Sequence, residues 1–129
     1  MSGPSRVLDA SALLALVNAE RGADEVAAYV AEAAISSVNW CEVYGKLRAV
    51  GIDGDTLAGE IGQTGIVIVP FDDSDARAAG ELLLSTRDAG LSLADRACLA
   101  FAQRLGVPAV TADRSWVRLD IGVDVTCVR

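Results

Sequence analysis

Leu91–Trp116 reads LSLADRACLAFAQRLGVPAVTADRSW, and this stretch decides the fold because it can carry two carboxylates apart in sequence and back together in space. Ser92 has the character of a helix N-cap, and a run rich in alanine and leucine continues to Leu105. Gly106 ends the helix, Pro108 prevents its resumption, and Pro108 to Thr111 is predicted to be a short buried strand. Asp95 lies in the first helical turn and Asp113 just past the strand. At about 1.5 Å per helical residue and about 3.3 Å per strand residue, the chain descends roughly 15 Å and then climbs roughly 13 Å between them. Both carboxylates should finish at the same end of the fold, where a metal or phosphate site would be built.

The segments before this stretch repeat its logic. Arg6 to Asp9 is a short apolar run that stops at an aspartate, and Ala12 to Val17 is apolar and helical, which places Asp9 at the carboxyl end of a first strand. Glu20 to Glu25 breaks the pattern, Val26 to Ala33 is predicted as a helix, and Ala34 to Ser36 as a very short strand. Ser37 opens a helix to Val50 whose periodic face, Trp40, Val43, Tyr44 and Leu47, is assigned to the core. Glu42 projects roughly opposite that face, near the helix start, with Lys46 four residues on as a possible surface partner. Gly51 to Gly62 reads as loop and weak helix, and Ile66 to Val69 as a buried strand closed by Pro70. Asp72, Asp73 and Asp75 crowd the start of a helix running to Thr86 and read as caps, since an EF-hand loop would need a glycine and a distant glutamate that are missing. Arg114 to Arg118 suits one helical turn, and Val123 to Val128 alternates as a final strand.

Strands alternating with helices imply one α/β domain over residues 1–129, three-layered around a mainly parallel sheet. In such sheets ligands bind outside the carboxyl ends of the strands, where the strand order switches. Composition bounds the chemistry. The chain has no histidine, which removes Ser-His-Asp and Cys-His nucleophile systems and nearly all catalytic zinc sites, and leaves carboxylates to do the work. A net charge of −7 opposes a duplex-DNA binder with a broad basic face. It is compatible with a nuclease whose metal cluster consumes negative charge. Cys41, Cys98 and Cys127 are odd in number and lie in apolar periodic segments, the pattern of buried free thiols. No apolar run approaches the roughly 20 residues that span a bilayer, and the Met1 to Ser5 start lacks the regions of a signal peptide. The expectation is a soluble cytoplasmic protein.

Each acid has a local explanation. Asp9 suits an N-cap, Ser92 and Asp95 match a capping box, and Asp113 suits a cap on the turn at Trp116. The argument for a site is their convergence with Glu42 on one end of one sheet, where like charges would repel unless a cation joined them. Four phrases carry a resemblance at this point: Val7-Leu-Asp9-Ala-Ser11-Ala-Leu, Ser37-Val-Asn-Trp-Cys-Glu42-Val, Leu91-Ser-Leu-Ala-Asp95-Arg-Ala-Cys-Leu-Ala and Val110-Thr-Ala-Asp113-Arg-Ser-Trp116. In order and separation they closely resemble the PIN domain, specifically the VapC toxins of bacterial type II toxin–antitoxin modules, over nearly the whole chain. The leader before the first strand is a few residues longer than is typical.

The resemblance implies a magnesium- or manganese-dependent endoribonuclease with Asp9, Glu42, Asp95 and Asp113 as its acidic quartet. It makes Ser11 and Thr111 hydroxyl partners that orient carboxylates or water, and it implies a homodimer and a cognate VapB-type antitoxin whose C-terminal segment obstructs the site. Arg96 and Arg114 directly follow two of the acids and are candidates for phosphate contact, or plain surface arginines. Two rivals stand beside this reading. A PIN-like scaffold without catalysis would share the fold. A receiver-type phosphoacceptor would need paired acids after the first strand and a lysine after the last core strand, whereas Asp9 stands alone and Lys46 is the only lysine.

Overall fold

Short apolar runs too brief to stand alone are stabilised here by pairing with one another under helices. The computed structural model describes residues 3–129, so Met1 and Ser2 of the leader lie outside the described residues. Five strands, β1 Arg6–Leu8, β2 Ala33–Ser36, β3 Val67–Val69, β4 Ala109–Thr111 and β5 Val125–Cys127, form one sheet in the order β3-β2-β1-β4-β5. All four pairings are parallel, with Leu8 opposite Ile35 on one side and Val110 on the other. The order reverses between β1 and β4, which makes the crevice above these two strands the switch point.

Six α-helices cover the sheet: α1 Ala10–Val17, α2 Ala23–Tyr29, α3 Ser37–Ala49, α4 Gly54–Gln63, α5 Asp73–Ser85 and α6 Leu93–Leu105. The strand period of two divides the core into two layers. Leu8, Ile35 and Val110 pack with Leu13, Val26, Val43, Leu47 and Leu57 of the first four helices. Their neighbours Val7, Ala34 and Ala109 pack on the opposite face with Ala79, Leu82, Leu99 and Phe101 of α5 and α6. The three-layer α/β/α arrangement follows from this alternation.

Several local expectations change. The second helix is displaced toward the N-terminus, Ala23–Tyr29 followed by a 3-10 turn Val30–Glu32, and releases Ala33 to the sheet. The strand read as buried at Ile66 to Val69 is an edge strand: Ile66 is buried, but Val67 is 51% and Ile68 39% exposed, because nothing pairs beyond β3. On α3 the buried positions are Asn39, Val43 and Leu47, while Trp40 is half-buried and Tyr44 is exposed, its ring edge-on to Trp40 at 5.7 Å. The buried face is therefore turned about 100° from Trp40 and Tyr44 toward Asn39. Cys98 is buried as expected, Cys127 is half-buried, and Cys41 is exposed because its position on α3 points away from that face.

Candidate active site

Each of the four acids is placed by a device of local structure. Asp9 directly follows β1 and caps α1. Asp95 is in the first turn of α6, where Ser92 and Asp95 exchange hydrogen bonds in a capping box: Ser92 N donates to Asp95 Oδ2 at 3.0 Å and Asp95 N to Ser92 Oγ at 3.1 Å. Asp113 caps the 3-10 turn Arg114–Arg118, its Oδ1 accepting from Ser115 N and Oγ at 2.9 and 2.7 Å. That turn is anchored by Trp116, which is fully buried. Glu42 is half-buried in the second turn of α3, directly after β2. The expected Glu42–Lys46 pair is absent among the described residues.

The hydroxyls expected beside the quartet are in place. Ser11 Oγ donates to Asp9 Oδ1 at 2.7 Å and Thr111 Oγ1 donates to Asp9 Oδ2 at 2.6 Å, while Ala12 N adds a third bond to Oδ1 at 2.9 Å. The same hydroxyls accept from the β4 side, Ser11 from Ala112 N at 2.8 Å and Thr111 from Asp113 N at 3.0 Å. Asp9 and Asp113 thus hang from one network across the switch point. Arg96 faces elsewhere: its Nη1 donates to the Ala79 carbonyl on α5 at 2.9 Å. Arg114 is exposed.

Electrostatics single out Asp9. Three hydrogen bonds favour its charged form, but burial outweighs them, and with a smaller contribution from the Asp95 charge its pKa is pushed up to about 6. The Cys98 thiol, wholly buried, is also raised by burial and then by the charges of Asp9, Asp95 and Glu42. The three ion pairs among the described residues, Arg77–Asp73, Arg104–Asp75 and Arg129–Glu20, leave the quartet without a cation. No three His, Cys, Asp or Glu side chains among the described residues are close enough to hold one ion together. A cavity of about 630 Å³ lies at the other end of the sheet against Pro4, Glu32 and Val67 and takes in none of the four.

Asn39 was not singled out by its sequence. It is 1% exposed, donates from Nδ2 to the Ala94 carbonyl at 3.0 Å, and leaves Oδ1 without a partner. Such an unmet buried acceptor costs about 1–3 kcal/mol. Its signal was available in the sequence, an amide at the i−4 position of Val43 and i−8 of Leu47.

The family model of the PIN domain matches residues 6–122. The chain belongs to the PIN domain family. The strand order also departs from the 2-1-3-4-5 order of receiver domains. Solved structures share this PIN fold over nearly their full length. A toxin–antitoxin complex from Klebsiella pneumoniae has a TM-score of 0.80 at 21% identity, covering 97% of this chain and 98% of that one. DNA-bound VapBC from Salmonella typhimurium has a TM-score of 0.74 at 17% identity, covering 98% and 99%. VapC20 of Mycobacterium tuberculosis, described as a toxin cleaving the sarcin–ricin loop, has a TM-score of 0.73 at 21% identity, covering 93% and 99%. No curated protein matches the sequence.

Proposed function

We propose that this PIN domain is a Mg²⁺- or Mn²⁺-dependent endoribonuclease, the toxin of a VapBC-type toxin–antitoxin module. The observation that carries the reading is Asp9, a buried carboxylate at the switch point that shares the Thr111 hydroxyl with the Asp113 backbone and feels the Asp95 charge, with no cation paired to Asp9, Glu42, Asp95 or Asp113 among the described residues. The donor chemistry fits a hard divalent ion, since every available ligand atom is a carboxylate or hydroxyl oxygen.

The free valences support the same assignment. Asp9 Oδ1 takes two hydrogen bonds and Oδ2 one, which leaves Asp9 a single lone pair to offer. Asp95 Oδ1 and Asp113 Oδ2 accept no hydrogen bond from a described residue, and neither does Glu42. These four acids would hold the ion, and Ser11 and Thr111 would fix the Asp9 carboxylate against rotation. When bound, such an ion supplies an activated water and stabilises charge on the scissile phosphate. Glu42, half-buried and accepting no hydrogen bond from a described residue, would offer the ion either oxygen. A homodimer, a VapB-type antitoxin covering the acidic cleft and a cytoplasmic location belong to this reading. Among the described residues no helix is long and apolar enough to cross a membrane. Arg114 remains available for substrate phosphate.

The separation of the acids favours one second reading, a PIN-type binding module without catalysis. Incubation of purified protein with RNA decides between them. Cleavage that requires Mg²⁺ or Mn²⁺ and falls in Asp95→Asn by more than the roughly 10- to 100-fold typical of an outer-sphere loss is expected. Activity that persists in Asp95→Asn removes that residue from the mechanism, and no metal-dependent cleavage by wild type leaves the binding module.

A further inference from the structure

We propose that Asn39 is a positioning residue that sets the spacing between Glu42 and Asp95, through the hydrogen bond from its Nδ2 to the carbonyl oxygen of Ala94. This rests on the reading of the quartet as a metal site. The geometry is direct. Asn39 stands one turn before Glu42 on α3, and Ala94 immediately precedes Asp95 on α6. Among the described residues, theirs is the only hydrogen bond that joins the two helices. It closes at the N-terminal turn of each, the turn that carries Asp95 on α6 and the turn before Glu42 on α3.

Stability alone does not call for an amide there. The position is 1% exposed, on the same face as the apolar Val43 and Leu47, and the amide oxygen accepts no hydrogen bond from a described residue. An apolar side chain of similar volume would fill the same space without an orphaned acceptor. What the amide adds is a fixed distance between elements that repel each other. The charges of Glu42 and Asp95 both reach the Cys98 thiol, one turn beyond Ala94 on α6. With no cation between them, that repulsion tends to part the helices at the site. The Asn39 bond opposes the parting, and the capping box with Ser92 holds Asp95 from the other side. Asn39 acts through the acids and touches neither substrate nor metal.

The test uses full-length wild type, Asn39→Leu and Asp9→Asn, each melted without metal and then titrated with Mn²⁺ by calorimetry, RNA absent. Asn39→Leu is expected to keep or raise the metal-free Tm while its Mn²⁺ affinity weakens by about 10-fold or more, as loss of an outer-sphere support does. A lower Tm with unchanged Mn²⁺ affinity would make Asn39 an ordinary packing residue and overturn the proposal. Asp9→Asn separates the two layers of the argument. If it binds Mn²⁺ as wild type does, the metal reading itself fails; if it loses Mn²⁺ while Asn39→Leu keeps wild-type affinity, only the positioning role fails. Should Asn39→Leu not fold, Asn39→Ala titrated well below its Tm decides on the same criterion of Mn²⁺ affinity.

Discussion

At the scale of single residues, the environment of Asp9 works against its own charge. Its pKa is about 6 in the fold against 3.8 for an unperturbed aspartate, with burial the largest cause. A carboxyl whose folded value is raised lends stability while protonated, below the unfolded value, and loses it as pH rises through the folded value. Metal-free protein should therefore weaken relative to Asp9→Asn between about pH 4 and about pH 7, by an amount on the order of 3 kcal/mol. Thermal melts of both proteins across that range measure it, and parallel curves would show that Asp9 is better solvated than its burial suggests. Mn²⁺ affinity in the wild type should fall over the same window as protons compete for Asp9. Thr111→Val tests the opposing influence: without the 2.6 Å bond to Oδ2, the Asp9 pKa should rise further and the pH at which Mn²⁺ binding is half lost should move up with it.

At the scale of elements, α6 does two jobs with its first turn. The side chain of Asp95 closes the capping box through one oxygen and leaves the other without a hydrogen bond from a described residue, so capping is compatible with the proposed metal role. Ser92→Ala should cost about 1 kcal/mol of stability by losing the cap, and it should also weaken Mn²⁺ binding because Asp95 loses half its restraint. A drop in Tm with unaltered Mn²⁺ affinity would mean the cap does not steer the carboxylate. The boundaries of this helix were legible because Ser92, Gly106 and Pro108 are local signals, and Gly106 indeed ends α6 in the left-handed conformation, at φ 66°. Asp9 and Asp113 were legible for the same reason, each standing where an apolar run stops. Burial of β3 was not, because an apolar run carries no record of which strand will be last in the sheet. The orientation of Arg96 and the core face of α3 were hidden likewise, since both depend on how helices pack against each other across long sequence separations.

At the scale of the whole molecule, the proposed site draws on the entire fold. Its acids come from positions 9, 42, 95 and 113, and the last strand is tied back to the first third at Gly22. Gly22 has φ 97°, and a Cβ there would run into the backbone oxygen and side chain of Val128. Gly22→Ala should lower Tm by about 3 °C or more, through strain and through loosening β5 from α2. A melt within error of wild type would show that the C-terminal strand can shift without cost. Cys98 then acquires a use of its own. Its thiol is buried on α6 and feels the charges of Asp9, Asp95 and Glu42, while Cys41 is exposed on α3. A small alkylating reagent would mark Cys41 at once and Cys98 only when α6 lifts from the sheet. The ratio of the two labels is a clock, carried in the native sequence, for how often the site opens and for how far a bound ion or a covering partner slows it.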